Sequence, residues 1–332
     1  MRVKAFITVL LLVAHGTMNA QPVKAYWKLK ITGTQLVDKN NKPVVLRGMS
    51  FGWHNLWPRF YTAGAVKTLY KDWNCSVVRA AMGIELNNDG YLKNPDFSIL
   101  KVKAVVDAAI KEGIYVIIDW HSHNTQQAEA KIFFTEMATT YGKFPNVIYE
   151  IYNEPDYETW EEVKKYSIEI IKTIRAIDPD NIILVGSPRW DQDIQLPAND
   201  PIKNFDNLMY TVHFYAATHK QWLRDRTDSA ISKGLPIFIS ESAGMEASGD
   251  GPMDYIELKK WIDWMDAKGL SWITWSVSDK NETCSVLKPS AASNGKWKDE
   301  DIKESGIKTR GYLRSHPSVR KLKNNNTVFS SK

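Results

Sequence analysis

Eight short apolar runs recur along this chain, near residues 44–50, 76–82, 114–120, 147–153, 181–187, 208–214, 236–241 and 271–277. Runs without a polar alternation read as strands covered on both faces, which is the condition of a parallel sheet. Parallel strands need crossover connections, and the segments between most of these runs have helix length and apolar residues at helical spacing. The segment 97–111 ends at Glu112-Gly113, 159–177 at Asp178-Pro179, and 255–267 at Lys268-Gly269, all helix-stop signals. Eight such units fit a closed (β/α)8 TIM barrel better than an open doubly wound sheet. The 332 residues accommodate one such barrel, which needs about 250 residues. A stretch from 29 to 45, interrupted by Asp38-Lys39-Asn40-Asn41-Lys42-Pro43, carries a hairpin signal and is expected to cap the barrel.

The ends of the chain read differently. Residues 1–20 have a basic start (Arg2, Lys4), an apolar stretch from 6 to 14 and small residues at Asn19-Ala20, the pattern of a signal peptide. The catalytic-domain pattern runs over 21–317, and 318–332 is a polar tail expected to be disordered. Losing Arg2 and Lys4 lowers the formal net charge from +5 to +3. The remaining basic residues are dispersed, so no nucleic-acid footprint is expected. No later segment approaches membrane-spanning length. A secreted, extracellular protein is therefore expected, and with it two further questions. Cys75 and Cys284 are compatible with one disulfide, although their proximity cannot be read from sequence. Sequons occur at Asn74, Asn281 and Asn325.

In barrels of this kind the active site gathers at the C-terminal ends of the strands. Reactive side chains collect there: Arg79 on the second run, Asp119-Trp120-His121-Ser122-His123 on the third, Asn153-Glu154 on the fourth, His213-Phe214-Tyr215 on the sixth, Glu241 on the seventh and Trp275 on the eighth. Two of them are glutamates that end apolar runs, and a charge so close to an apolar interior costs several kcal/mol unless it is paired or used. Strands four and seven stand on opposite walls, so Glu154 and Glu241 can face one another. Two facing carboxylates are the minimum equipment for cleaving a glycosidic bond, and a separation of about 5–5.5 Å gives retention. Glu150 shares the inward parity of Glu154 one layer deeper and reads as a buried partner for an arginine. His121-Ser122-His123 also admits a metal-binding reading, but that would leave the glutamate pair idle. The 13 tryptophans and 14 tyrosines suit a cleft that stacks sugar rings.

The motifs Leu46-Arg47-Gly48-Met49-Ser50, Val78-Arg79-Ala80-Ala81-Met82, Asp119-Trp120-His121, Tyr149-Glu150-Ile151-Tyr152-Asn153-Glu154-Pro155, Val212-His213-Phe214-Tyr215 and Trp275-Ser276-Val277-Ser278-Asp279-Lys280-Asn281-Glu282-Thr283 occur in order. Together they resemble a glycoside hydrolase family 5 endoglucanase (cellulase), of the subfamily shared by bacteria and some plant-feeding invertebrates. The resemblance covers roughly 27–315. It implies that Glu154 is the general acid/base and Glu241 the nucleophile, with Arg79 and Tyr215 as donors to Glu241. It places Asn153 on the sugar 2-OH and gives His121 and His213 the task of holding hydroxyls or orienting the carboxylates. Trp275 would form the floor at the cleavage point. Lys280 and Glu282 would grip sugar beside it, and Ala247 and Ser248 lie in a further substrate-lining loop. Trp53, Trp57 and Trp190 are candidate stacking platforms.

Two departures from the family pattern fall on the non-reducing side of the cleft: Gly83 where relatives often carry an aromatic residue, and the loop Phe51-Gly52-Trp53-His54-Asn55-Leu56-Trp57. The expected activity is retaining endo-hydrolysis of a β-1,4-glucan, with no cofactor, no metal and a monomer as the default. The alternatives are the same chemistry on mannan, xyloglucan, lichenan or xylan, a non-catalytic carbohydrate-binding protein, and a metallohydrolase.

Overall fold

The computed structural model describes residues 21–316; the expected signal peptide and the polar tail at 318–332 lie outside the described residues. Helix α1 (Pro22–Tyr26) and an antiparallel pair, β1 (Lys30–Thr32) and β2 (Gln35–Val37), come first. The hairpin sits earlier than its polar signal. Its tight turn is Gly33-Thr34, with Gly33 at φ +61° in the left-handed region that favours glycine. The 38–43 segment makes a second reversal, in which Asp38 Oδ1 accepts from the N–H groups of Asn40 (2.7 Å) and Lys42 (2.9 Å) and Val37 bridges to Pro43. That side-chain-built turn is what gives the segment its strong turn composition.

Eight parallel strands then close the barrel: β3 (Arg47–Phe51), β4 (Val77–Gly83), β5 (Tyr115–His121), β6 (Val147–Glu150), β7 (Ile183–Val185), β8 (Leu208–Tyr215), β9 (Ile237–Ala243) and β10 (Trp272–Val277), with β10 paired back onto β3. Helices α2 (Ala63–Lys71), α3 (Pro95–Glu112), α4 (Gln127–Tyr141) and α5 (Trp160–Arg175) follow the first four strands. After β7 come a tight turn, α6 (Pro188–Asp191), and the short α7 (Gln195–Asn199). Helices α8 (Gln221–Ser232), α9 (Tyr255–Lys268) and α10 (Glu304–Ser315) complete the shell.

Local signals explain the helix ends. Thr159 and Glu162 form a reciprocal capping box at the start of α5, and Asp254 accepts from the Glu257 N–H at the start of α9. Gly113 and Gly269 close α3 and α9 at φ +73° and +67°. At the lower end of the barrel Val23, Leu29, Leu36 and Val44 pack with Val77, Ile117, Met209 and Ile273, so the N-terminal segment plugs the end opposite the strand C-termini. The larger core lies between strands and helices. There Trp261 of α9 lies flat on Phe214 of β8, with ring centroids 3.9 Å apart.

Cys75 precedes β4 and Cys284 follows β10, at opposite ends of parallel strands; both thiols are buried and free. Asn74 is committed structurally, because its Nδ2 donates to the carbonyls of Leu313 (3.0 Å) and His316 (3.3 Å) at the end of α10. Asn281 is exposed, and Asn325 lies outside the described residues. No helix among the described residues is long and apolar enough to cross a membrane.

Two buried histidines tie main chain at the strand mouths. His54 Nδ1 accepts from the Gly83 N–H (3.0 Å), and His219 Nδ1 accepts from the Tyr215 N–H (2.8 Å). Burial pushes each ring down to about 4, and both are neutral acceptors in the fold. The unfolded chain therefore binds more protons than the folded one between about pH 6.5 and 4, and stability must fall as pH drops through that window. Urea midpoints measured from pH 7 to pH 4 are expected to decline, and His54→Asn or His219→Asn should flatten the decline. Close packing gives a second prediction. A Cβ on Gly48 would come within 1.8 Å of the Val77 carbonyl oxygen in the neighbouring strand. Gly48→Ala is expected to destabilise by about 1–3 kcal/mol, read as a lowered urea midpoint.

Candidate active site

The mouth of the barrel is organised around Arg79, whose side chain has no exposed surface. Its Nε donates to Glu150 Oε2 at 2.6 Å, one terminal nitrogen to Glu241 Oε2 at 3.0 Å, and the other to Asn153 Oδ1 at 2.6 Å, with Asp119 Oδ2 at 3.0 Å from the same atom. Burial opposes the charge, and Asp119, Glu150 and Glu241 more than offset it, so the guanidinium stays protonated. Burial likewise pushes Glu150 up, but Arg79 and His213 outweigh it and hold this carboxyl at about 2. Glu150 is thus the arginine partner that its strand parity indicates.

Glu241 reaches the same centre through an irregularity. Thr211 pairs with Phe238, but His213 pairs with Glu241, so β9 carries one extra residue between them. Phe238 faces the barrel interior; strict alternation from it would turn Glu241 outward, and the bulge turns it inward. There Glu241 also accepts from the Tyr215 hydroxyl at 2.7 Å. Glu154 stands three strands away, beyond the end of β6, which is shorter than the 147–153 run. The chain there remains tied to its neighbour, as the N–H groups of Asn153 and Glu154 donate to the carbonyls of Trp120 (3.1 Å) and Ser122 (3.3 Å).

Glu154 is bound to a histidine instead of an arginine. Its Oε1 is 2.8 Å from His213 Nδ1, and its Oε2 is 3.8 Å from His123 Nδ1. One oxygen of Glu154, one of Glu241 and a ring nitrogen of His213 lie within 4.8 Å of one another. Burial and the charge of Glu154 push Glu241 up against the pull of His213, Arg79 and Tyr215. Burial also pushes Glu154 up, but the hydrogen bond and charge of His213 hold it below the ordinary carboxylate range. Burial works against a charge on His213, and Asp191, Glu150, Glu154 and Glu241 overcome it. The three groups thus form one coupled network, in which the surrounding carboxylates favour the charged form of His213. This donor set suits a proton better than a metal ion: Glu241 already neutralises Arg79, and the Glu154 oxygen already pairs with the ring.

The other expected residues divide. His121 Nδ1 bonds Asp119 Oδ2 (2.7 Å), and its ring lies parallel to Trp275 at 5.1 Å. Lys280 Nζ pairs with Glu282 Oε2 at 2.5 Å in the loop after β10. Trp190 and Ala247 line a cavity of about 480 Å³ with Glu154, His213 and Tyr215, while Ser248 is exposed and accepts from the Asp250 N–H. Trp57 packs against the core and over Gly52. Trp53, in the same loop, is the tryptophan that meets His121 edge-on (4.6 Å) and His123. A Cβ on Gly83 would meet Asn55 Oδ1 at 2.2 Å and the Trp53 ring at 2.8 Å, so Trp53 fills the space that a side chain at 83 would need.

Sequence reasoning missed Asp191, Ser240, Gln192, Thr218 and His219. Gln192, Thr218 and His219 line the same cavity. Asp191 stands in α6, where Arg189, Trp190 and Asp191 all have φ between 55° and 59°. Three successive left-handed non-glycine residues cost about 1–2 kcal/mol each, and no composition signal announces such a turn. It is pinned by Asp191, whose Oδ1 accepts from the Ser187 N–H and whose Oδ2 accepts from the Thr211 hydroxyl, both at 2.5 Å.

A family model described as cellulase (glycosyl hydrolase family 5) matches residues 37–281. An endoglucanase of Clostridium saccharobutylicum is 44% identical over 84% of this chain and 63% of its own length. This chain thus spans about three fifths of that relative. A solved structure from Cytophaga hutchinsonii has a TM-score of 0.86 at 44% identity, covering 92% of this chain and 98% of the other. The catalytic domain of Thermobifida fusca endoglucanase Cel5A, solved in complex with cellotetraose, has a TM-score of 0.84 at 33% identity, covering 89% of this chain and 99% of the other. The chain belongs to the cellulase family, glycosyl hydrolase family 5.

Proposed function

We propose that this chain is a secreted endo-β-1,4-glucanase that cleaves internal bonds of cellulose-type glucans with retention of anomeric configuration. The observation that carries the reading is the Glu154–Glu241 pair, with oxygens within 4.8 Å across the mouth. That spacing suits direct attack on the anomeric carbon, since inverting enzymes hold their carboxyls about 6.5–9.5 Å apart to admit a water. Two donors, Arg79 and Tyr215, localise charge on Glu241 and aim it, as a nucleophile requires.

In the first step Glu241 attacks the anomeric carbon, the glycosidic bond pair passes to the leaving oxygen, and Glu154 supplies the proton. That proton reaches Glu154 Oε1 along the 2.8 Å bond from His213 Nδ1. Once the ester forms, Glu241 is neutral and no longer raises the proton affinity of its neighbour. Glu154 then takes a proton from a water whose oxygen bonds the anomeric carbon as the ester bond breaks and its electron pair returns to Glu241. Asn153 has a use in both steps: its Oδ1 is held by Arg79, and its buried Nδ2 has no partner among the described residues, leaving a donor for the sugar 2-OH. Trp275 supplies a flat floor, and the Lys280–Glu282 pair a charged grip beside it. Trp190 and Ala247 line the Glu154 side, where the leaving chain departs, and Ser248 follows Ala247 in the same loop.

The glucan preference is supported by the relatives named endoglucanase and by cellotetraose in the Thermobifida fusca enzyme. Secretion rests on the 1–20 pattern, and the scheme needs no cofactor or second subunit. The test is hydrolysis of carboxymethylcellulose, galactomannan, xyloglucan and xylan by the wild type beside Glu154→Gln and Glu241→Gln. The cellulose derivative should be the best substrate, Glu154→Gln should lose about 10²–10⁴-fold, and Glu241→Gln should lose at least as much. Preference for mannan or xyloglucan would overturn the substrate assignment and leave the mechanism. No hydrolysis of any polymer would replace it with a carbohydrate-binding role.

A further inference from the structure

Glu154 cannot be read apart from His213, because His213 Nδ1 is its hydrogen-bonding partner at 2.8 Å. The other nitrogen of that ring decides what the pair can do. Around Nε2 stand three oxygens: Ser240 Oγ at 2.9 Å, Asp191 Oδ2 at 3.3 Å and Glu150 Oε1 at 3.7 Å. The Ser240 hydroxyl can turn to donate or accept, so it imposes no tautomer. Glu150 is held on the other side by Arg79. Asp191 is the acceptor whose direction is fixed, since the Ser187 N–H and the Thr211 hydroxyl hold its two oxygens.

We propose that Asp191 is a positioning residue for the reaction, the far end of a chain Asp191–His213–Glu154 that keeps a proton on Nε2 so that the Nδ1 proton is free to pass to Glu154. This inference rests on reading Glu154 as the acid. The proton balance is explicit. Before the reaction, in this proposal, an imidazolium directs its Nδ1 proton at an ionised Glu154 and its Nε2 proton at Ser240 and Asp191. When the Nδ1 proton moves to Glu154 Oε1, the ring is left neutral with its Nε2–H bonded to Ser240 Oγ at 2.9 Å and facing Asp191 Oδ2 at 3.3 Å. The proton then passes from Glu154 to the glycosidic oxygen as that oxygen takes the bond pair from the anomeric carbon, and Glu241 bonds to that carbon. Titratable and charged groups from every wall face this ring: Asp191 after β7, Glu150 and Glu154 on β6 and beyond it, Glu241 on β9, Arg79 on β4, and Asp119, His121 and His123 on β5 and at its end. His219 lines the same cavity. Asp191 is the strongest of those that favour its charge, with burial opposing; burial also pushes the Asp191 carboxyl up, against the pull of His213, the Thr211 hydroxyl and the Ser187 N–H.

The same turn carries Trp190 into the cavity beside Glu154, so one strained segment places both a leaving-side surface and the anchor of the acid. Asn at 191 reverses the logic. The Ser187 N–H is a donor that cannot turn, so the amide oxygen must stay on its side and the amide N–H₂ must face Nε2. A neutral His213 would then carry its single proton on Nδ1, pointed at an ionised Glu154, with none to give. The wrong tautomer in a comparable Asp–His arrangement costs about 10⁴-fold.

The test compares kcat/KM on carboxymethylcellulose with that on 2,4-dinitrophenyl β-cellobioside, whose phenolate leaves without protonation, using enzyme counted by titration with a fluorinated mechanism-based inhibitor. Asp191→Asn should lose about 10²-fold or more on the polymer, and several-fold at most on the activated glycoside. Asp191→Ser, which removes the carboxylate but presents no rigid donor, should show the same split with a smaller loss, and it serves if the Asn variant fails to fold. Equal losses on both substrates would mean that Asp191 only supports the turn, and no loss on the polymer would remove it from the reaction; either overturns the inference. Glu154→Gln distinguishes the underlying reading: if it loses both activities equally, the acid assignment itself fails, whereas a split there without one at Asp191 rejects the relay alone.

Discussion

A guanidinium with no contact with solvent holds the catalytic mouth of this barrel in place. Arg79 meets Glu150, Glu241, Asn153 and Asp119 at 2.6–3.0 Å, and each of these comes from a different strand or strand end, or lies at a different depth. Removing one partner from such a buried cluster leaves an uncompensated charge, at a cost of about 3–5 kcal/mol. The cluster is therefore all-or-none. It fixes Glu241 and Asn153 directly, and through Asp119 it fixes His121, which in turn lies flat against Trp275.

The two walls of the cleft are thereby made unlike. On one side Glu241 sits under Arg79 and Tyr215, donors that keep their protons. On the other side Glu154 faces His213, a ring that can pass a proton as the guanidinium cannot. On the proposed reading, two glutamates of one chemistry take two roles from their partners, a division of labour that recurs where a fold runs acid and nucleophile side by side. The loops then flank this pair: Trp53 against His121, the Lys280–Glu282 pair tied to Cys284, which packs in one cluster with Trp275, and Trp190 with Ala247 on the Glu154 side.

Much of this was legible before any coordinates. Apolar runs and glycine stops mark the strands and helices because burial on both faces leaves a signal that tertiary packing reinforces. Arg79, His213, Tyr215, Glu154 and Glu241 stand out because reactive residues at the ends of apolar runs need a reason. What stayed hidden depends on backbone detail. The hairpin turn is made by one glycine, Gly33, while the louder polar cluster at 38–43 builds a different reversal. The inward aim of Glu241 depends on a bulge that alternation alone would not supply. Asp191 lies in a left-handed turn without glycine, and Trp53 prevails over Trp57 because Gly83 leaves room for its ring. Cys75 and Cys284, an even pair in composition, are separated by the length of the barrel.

The central claim is that Glu241 attacks carbon while Glu154 manages the proton. The most direct measurement is intact-protein and peptide mass spectrometry after incubation with an activated 2-deoxy-2-fluoro-β-cellobioside, which slows the second step more than it slows the first. The account predicts one added glycosyl group per chain, mapped to Glu241, and none on Glu241→Gln. Turnover of β-1,4-glucan without any adduct, or an adduct mapped to another carboxylate, would contradict it.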